Sequence, residues 1–273
     1  MIDGTVDGGG HAAAIVRKIT PGGKFLGIDW DKNMIAKRRA EAAHGTNEKY
    51  VHGNYAELQT ILAKEKLPKA DGLLLDLGFS SEQIAHSGRG FSFSESSAGE
   101  PLLMTYDDSR KPVAELLRQL SEKELADIIF EFGGERFSRR IASAIKQEGK
   151  KRAIVTSGEL AETVRSAVPK NYEKGRIDPA TRTFQALRIY ANDELGNLKR
   201  VLENLENILS SGGRIVIITF HSLEDRIVKQ TFQKMAKESK ISIITKKPVA
   251  PSREEVEENP RSRSAKLRTA VIS

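Results

Sequence analysis

The chain has 273 residues, 38% of them hydrophobic and 30% charged, with a formal net charge of +7 and no cysteine. That composition suits a soluble globular protein with room for one sizeable α/β domain and a smaller one, and its basic balance favours a polyanionic partner such as nucleic acid. Without cysteine there are no disulfides, thiolate zinc sites, iron–sulfur clusters or covalent thiol nucleophiles; no apolar run is long enough to span a bilayer and no signal peptide opens the chain, so a cytoplasmic protein is expected.

Met1 and Ile2 form a short strand candidate that leads into Asp3 and a glycine cluster. Residues 11–19 read as a helix, stopped by Pro21-Gly22-Gly23. The run KFLGID (24–29) is a buried strand ending in an acid, and 32–43 is helical. A short strand over 49–52 and a helix over 56–65 follow, then GLLLDL (72–77), a strongly apolar strand. Strands alternating with helices predict βαβ units and a mainly parallel sheet.

Residues 78–111 break the pattern, being rich in Ser and Gly with no clean period. A segment this long is functional or disordered, and Phe79, Phe91 and Phe93 argue against disorder. From 112 to about 168 the chain reads as helical, with capping boxes at Ser121–Glu124 and Thr156–Glu159. After a polar linker, 183–209 predicts one long helix, and RIVIITF (214–220) a buried strand. Residues 222–237 form a helix with Ser222 and Asp225 spaced as its cap, and 241–245 and 265–272 are the last strands. The expected domains are thus a doubly wound sheet over 1–110 and 183–273, and a helical insertion over 111–182.

Ligands on such sheets gather at the carboxyl ends of the strands, where Asp3, Asp29 and Asp76 fall. The segment DGTVDGGGH (3–11) joins the first strand to a helix start, where glycines permit a tight turn and free N–H groups face outward. Asp29, about 20 residues further on, is placed to accept hydrogen bonds from a ribose; its alternative role as a helix cap can be filled by Asp31. The spacing is not G-x-G-x-x-G, and the acidic surroundings suit a sulfonium and a ribose better than a pyrophosphate. The balance therefore tilts to S-adenosylmethionine over NAD.

These residues resemble the MraW/RsmH family of bacterial 16S rRNA methyltransferases, over nearly the whole chain. The likeness is carried by DGTVDGGGH (3–11), DGLLLDLGFSSEQI (71–84), GRGFSF (88–93), ERFSRRIASAI (135–145), PATRTFQALRI (179–189), TFHSLEDRIVK (219–229) and NPRSRSAKLR (259–268). It implies a Rossmann-like class I methyltransferase sheet with a helical inserted domain, and S-adenosyl-L-methionine as cofactor. It also implies that Gly9, Gly10 and His11 contact the methionine part, Asp29 the ribose, Tyr55 the adenine, and Asp76 and Gln83 the cofactor further along. The implied reaction is methylation of the exocyclic N4 of a cytidine in the decoding region of 16S rRNA. The implied partner is that rRNA, within the small ribosomal subunit, with no membrane involved and a homodimer allowed. Where the family has P-L-D-M-R-M-D, this chain has Leu103 and Thr105 in place of the acid and the arginine, and Asp178 replaces a histidine.

A cytosine amine is a weak nucleophile, so the chemistry rests on alignment and on acceptors for the amine protons. Asp76 and the Ser80-Ser81 pair are the candidates, with His221 either a substrate contact or a structural group. The missing cysteine disfavours methylation at cytosine C5, which needs a thiol nucleophile. Phe91, Phe93 and Phe220 are stacking candidates for a base taken out of its stack. Arg136, Arg139, Arg140, Arg182, Arg188, Arg226, Arg261 and Arg263 are phosphate candidates, and no metal ligand is assigned.

Overall fold

The computed structural model describes residues 1–42, 47–78, 88–175 and 177–273. The chain divides into two compact units, one formed by Met1–Gly78 with Leu195–Ser273 and the other by Phe79–Glu194.

The first unit is a seven-stranded sheet in the order β3-β2-β1-β4-β5-β7-β6. Its strands are β1 (Ile2–Asp3), β2 (Phe25–Asp29), β3 (Glu48–His52), β4 (Ala70–Asp76), β5 (Leu209–Thr219), β6 (Ile241–Ile243) and β7 (Lys266–Ile272). The five strands β3, β2, β1, β4 and β5 run parallel, and β7 is antiparallel to both β5 and β6. β2 is buried at all five positions, and β4 at most of its seven. Such continuous apolar runs are what a parallel sheet covered on both faces requires. Helices α1 (Gly10–Ile19), α2 (Lys32–Glu41) and α3 (Leu58–Lys64) make the crossovers between the early strands. This is the mainly parallel, Rossmann-like class I methyltransferase sheet. Its chain order reverses at β1, which pairs with β2 on one side and β4 on the other. That is the topological switch point where ligands of doubly wound sheets bind.

The second unit is helical: α4 (Val113–Gln119), α5 (Glu122–Gly133), α6 (Ser138–Lys151), α7 (Ser157–Ala167) and α8 (Ala180–Asn192) enclose a core that includes Leu125, Ile129, Ile141, Leu160 and Leu187. Both expected capping boxes are present, Ser121 with Glu124 and Thr156 with Glu159. α5 and α8 approach closely because Gly133 has no side chain; a Cβ there would strike the Arg182 carbonyl oxygen at 2.5 Å. The unit is wider at both ends than 111–182. Leu102 and Met104 from the Ser/Gly-rich segment are buried in its core, with Phe91 and Phe93 packed against them. At the other end α8 contributes Phe184 and Leu187.

The single helix expected over 183–209 is instead three. α8 ends at Asp193, which takes a left-handed backbone (φ 50°), and α9 (Glu194–Glu203) and the short α10 (Leu205–Ile208) follow. A short polar side chain tolerates that conformation, so Asp193 ends the helix without a glycine. The cap of α11 (Ser222–Lys237) also differs from expectation. His221, not Ser222, caps it, in a reciprocal box with Glu224. Asp225 is turned away from the helix start toward β7, where its carboxylate accepts from Arg268 Nε at 2.7 Å and pairs with Lys266 Nζ at 3.3 Å. The charged stretch 246–263 contains a further α-helix, α12 (Arg253–Glu258), and most of a 3-10 turn (Pro260–Ser264).

Candidate functional site

The site is built where β1, β2 and β4 end side by side. The backbone leaving β1 continues to hydrogen-bond both neighbours, Gly4 N–H to the Leu74 carbonyl at 2.9 Å and Val6 N–H to the Ile28 carbonyl at 3.0 Å. It then turns through Asp7 (φ 45°) and Gly9 (φ 81°) into α1. Gly9 is the N-cap, and no side chain caps the helix, so its first N–H groups face outward. A Cβ on Gly9 would meet two obstacles, the left-handed backbone and the Arg38 guanidinium lying against the turn. The first turn carries no acid, which leaves the partial positive charge of the helix start available to an anionic group.

Asp29 ends β2, and each of its oxygens takes one backbone N–H: Asp7 at 2.8 Å and Asp31 at 2.8 Å. Asp31, as the sequence allowed, caps α2 by accepting from Asn33 N–H. Burial nevertheless raises the Asp29 pKa to about 6. The carboxylate is fixed by the glycine turn on one side and by α2 on the other, with lone pairs left to accept from a ligand. Gly53 N–H donates to the Asp29 carbonyl at 3.0 Å, and this carries the chain past Asp29 to Tyr55, the first residue of a 3-10 turn. Asn54, buried beside it, is held by Asn197 of α9 at 2.9 Å.

Asp3 is fully buried, and burial raises its pKa to about 6. One of its oxygens accepts Thr5 N–H at 3.1 Å, while Oδ2 is buried with no hydrogen-bond partner among the described residues. Thr5 in turn accepts Asp76 N–H on its hydroxyl at 2.8 Å, linking the ends of β1 and β4. Asp76 Oδ2 stands 3.3 Å from His11 Nε2, and Asp76 Oδ1 is buried without a hydrogen-bond partner among the described residues. The hydrogen bond to Asp76 raises the His11 pKa above the usual imidazole value.

Unmatched buried acceptors are costly unless a donor arrives. Asp3 Oδ2 and Asp76 Oδ1 therefore suit a ligand bearing hydroxyls, an ammonium or a sulfonium. Gly9, Gly10, His11, Asp29, Tyr55 and Asp76 are thus gathered along one edge of the sheet. Ser80, Ser81 and Gln83 lie outside the described residues. Thr5 and Asn54 belong to the same edge and were not singled out from the sequence. For Thr5 the available signal was its position inside the glycine segment. For Asn54, no local pattern points to a partner 143 residues away.

His221 has a structural task. Its Nδ1 accepts Glu224 N–H at 3.4 Å and its Nε2 lies 3.2 Å from Glu224 Oε1. Phe220 lies against Gly78, within 3.0 Å of where a Cβ would stand.

In the helical unit, Phe93 packs on Phe184 with ring centroids 4.7 Å apart, and Phe91 on Tyr106 at 5.6 Å. Both rings serve the core. Arg182 is held by Glu173 at 2.9 Å and Arg188 by both Glu194 oxygens, at 2.8 and 3.0 Å, so these two arginines are engaged within the protein. Asp178, at the family's histidine position, binds Arg165 at 2.9 Å. Thr105 is buried and its hydroxyl accepts from Arg89 at 2.8 Å. By contrast Arg136, Arg139, Arg140 and Arg226 are exposed.

The family model described as the MraW methylase family matches residues 1–272. A ribosomal RNA small subunit methyltransferase H from Sorangium cellulosum (strain So ce56) is 46% identical over 273 residues, covering 98% of this chain and 83% of that protein. Its namesake from Syntrophus aciditrophicus (strain SB) is 42% identical over 286 residues, covering 98% and 90%. That from Clostridioides difficile (strain 630) is 41% identical over 286 residues, covering 98% and 91%. With its glycine turn, its three strand-end aspartates and this match along its length, the chain belongs to the MraW methylase family.

Proposed function

We propose that the protein transfers a methyl group from S-adenosylmethionine to the exocyclic N4 of a cytidine in the decoding region of 16S rRNA, acting in the cytoplasm on the small ribosomal subunit. The observation that carries this reading is the acidic edge itself. Asp3, Asp29 and Asp76 end three adjacent strands around an uncapped helix start, and two of their buried oxygens lack donors among the described residues. A dinucleotide would set its pyrophosphate among these carboxylates, whereas a ribose, an ammonium and a sulfonium answer them.

S-adenosylmethionine supplies an electrophilic methyl on sulfur. The chain's own residues bind and align. Asp29 would accept the ribose hydroxyls, the N–H groups from Gly9 to His11 would receive the methionine carboxylate, and Tyr55 would hold the adenine. Asp76 would accept from the cofactor's ammonium or from the cytosine amine, in the latter case localising the nitrogen lone pair. Ser80 and Ser81 are proposed as further acceptors and Gln83 as a cofactor contact. The lack of any cysteine fits an amine target rather than ring carbon C5. The helical unit is proposed to recognise the substrate.

The test supplies labelled S-adenosylmethionine and 30S particles from a strain lacking the modification. Label at the cytidine N4 is the expected result; folded, cofactor-bound protein that leaves N4 unlabelled overturns the assignment. A second reading, methylation of another RNA or DNA amine, is favoured by Leu103 and Thr105, which remove the family's usual acid and arginine. Label in a different nucleic acid, with the 30S particle unlabelled, would select it.

A further inference from the structure

The corner between α5 and α6 carries a surface the catalytic edge does not use. A concavity of about 310 Å³ is lined by Asp127, Phe130, Arg136, Phe137, Arg139 and Arg140, among others. Phe130 is 60% exposed, an unusual state for a large apolar ring. The Arg136 guanidinium lies over the Phe137 ring at 4.9 Å, and Arg140 approaches the same ring at 6.0 Å. No ion pair with a described residue engages Arg136, Arg139 or Arg140, in contrast to Arg182, Arg165 and Arg188 of the same unit.

The corner is also tied down by a buried carboxylate. Glu135, fully buried, accepts Phe137 N–H at 2.7 Å and the Tyr172 hydroxyl at 2.5 Å, with Arg182 4.0 Å away. Phe137 and Tyr172 pack with ring centroids 6.2 Å apart. A buried carboxylate is an expensive way to fix a turn. What it fixes is the placement of Arg136 and Phe137 just ahead of a helix whose first turn holds two more arginines and no acid.

From this geometry we infer that the concavity is a docking site for a single-stranded RNA segment, one unpaired base stacking on Phe130 or on the Arg136 plane while flanking phosphates lie on Arg139 and Arg140. This rests on the RNA substrate assigned above and places a second point of contact on the helical unit. Exposed aromatic and guanidinium planes side by side are what unstacked bases use, and unpaired arginines are what phosphates use. An acidic peptide fits less well. Its carboxylates could pair with the arginines but would leave the exposed Phe130 ring unused, whereas a base stacks on that ring and the Asp127 carboxylate can accept from a ribose hydroxyl or a base amine.

The experiment titrates full-length protein with a fluorescent single-stranded RNA of about 12 nucleotides across a salt series, for the wild type, Phe130→Ala and Arg136→Ala/Arg140→Ala. Both variants alter exposed side chains, and S-adenosylmethionine binding by calorimetry together with circular dichroism verifies that each is folded. Phe130→Ala is expected to weaken RNA binding about 5- to 100-fold with an unchanged salt slope. The double arginine variant is expected to weaken it and to flatten the slope of log K against log salt by about one to two. Unchanged affinity and slope in both folded variants overturn the inference, as does competition by poly-glutamate equal to that by unlabelled RNA. The result is independent of the assigned reaction: methylation of 30S particles with undiminished RNA affinity in the variants sinks only the docking site, and loss of RNA affinity without N4 labelling by the wild type sinks only the reaction.

Discussion

His11 Nε2 and Asp76 Oδ2, 3.3 Å apart, tie the first turn of α1 to the end of β4. This pair closes one side of the acidic edge, and the hydrogen bond holds the imidazole toward its protonated form. NMR titration of the histidine rings should find the His11 pKa above its ordinary value in the wild type, and lower in Asp76→Asn. A raised imidazole pKa contributes stability that is complete below the unfolded pKa and lost as pH rises through the folded one. Because the His11 side chain is 52% exposed, that contribution stays below about 1 kcal/mol. A His11 titration that ignores the Asp76 substitution would show that the two groups do not interact.

Asp3 carries the same sign at lower pH and from a different cause. Its pKa is raised to about 6 by burial, so the folded state holds a proton that the unfolded chain has already released. Stability therefore falls as pH rises from about 4 to about 6 and stays reduced above that. Asp3→Asn removes the charge, and in the cofactor-free protein it should gain on the order of 1–3 kcal/mol relative to wild type at pH 8. The gain should shrink as pH is lowered from 6 toward 4. Urea denaturation at several pH values measures this, and a pH-independent difference would contradict it.

Asp29→Ala removes the proposed ribose acceptor and leaves the Asp7 and Asp31 N–H groups without theirs. S-adenosylmethionine affinity, read by calorimetry, should drop about 10- to 100-fold. Asp29→Asn keeps an acceptor oxygen and should lose less. Equal affinities for the wild type and Asp29→Ala would remove Asp29 from the site.

Two glycines of one turn should behave differently. Gly8 has open space where a Cβ would stand, whereas Gly9 combines φ 81° with the Arg38 guanidinium. Gly8→Ala should leave thermal stability nearly unchanged. Gly9→Ala should cost about 1–2 kcal/mol from the backbone alone, with further loss because the helix start shifts and its N–H groups are displaced. Indistinguishable melting curves for the two variants would argue that the turn does not need its left-handed residue.

Restoring the family's arginine at position 105 should not be benign. Thr105 is 1% exposed and its hydroxyl and carbonyl both bind Arg89. Thr105→Arg sets two guanidinium groups together in a closed space and should destabilise by about 2 kcal/mol or more, whereas Thr105→Val should cost about 1 kcal/mol. A Thr105→Arg variant as stable as wild type would mean that Arg89 has another place to go.

What the sequence made legible was local. The apolar runs ending in Asp29 and Asp76, the glycine turn and the capping boxes at Ser121 and Thr156 each announce themselves within a few residues. The cap of α11 did not, because histidine rarely caps a helix and the adjacent Ser222 is the usual choice. Its cause is distant: Asp225 is committed to Arg268, 43 positions away, so Glu224 and His221 close the helix instead. The arginines divide by spacing. The acids that hold Arg182 and Arg188 are Glu173 and Glu194, 9 and 6 residues away, neither at the three- or four-residue spacing of one helix face, while Arg136 and Arg140 have no such partner among the described residues. The break at Asp193 was hidden because a non-glycine residue took a left-handed conformation inside an unbroken helical pattern.

The discontinuity of the sheet has a consequence for how the protein is made. β4, the apolar ADGLLLD strand, finds its outer neighbour β5 only after the whole helical unit has been synthesised. On the ribosome, β1 to β4 therefore emerge as a half-sheet with one bare hydrophobic edge, open to pairing with any strand at hand. The separation in sequence also makes closure slow relative to the helical unit, whose contacts are more local. Synthesis and refolding should therefore pass through a stage in which the helices are formed and the cofactor edge, which needs β4 held in register, is not yet complete.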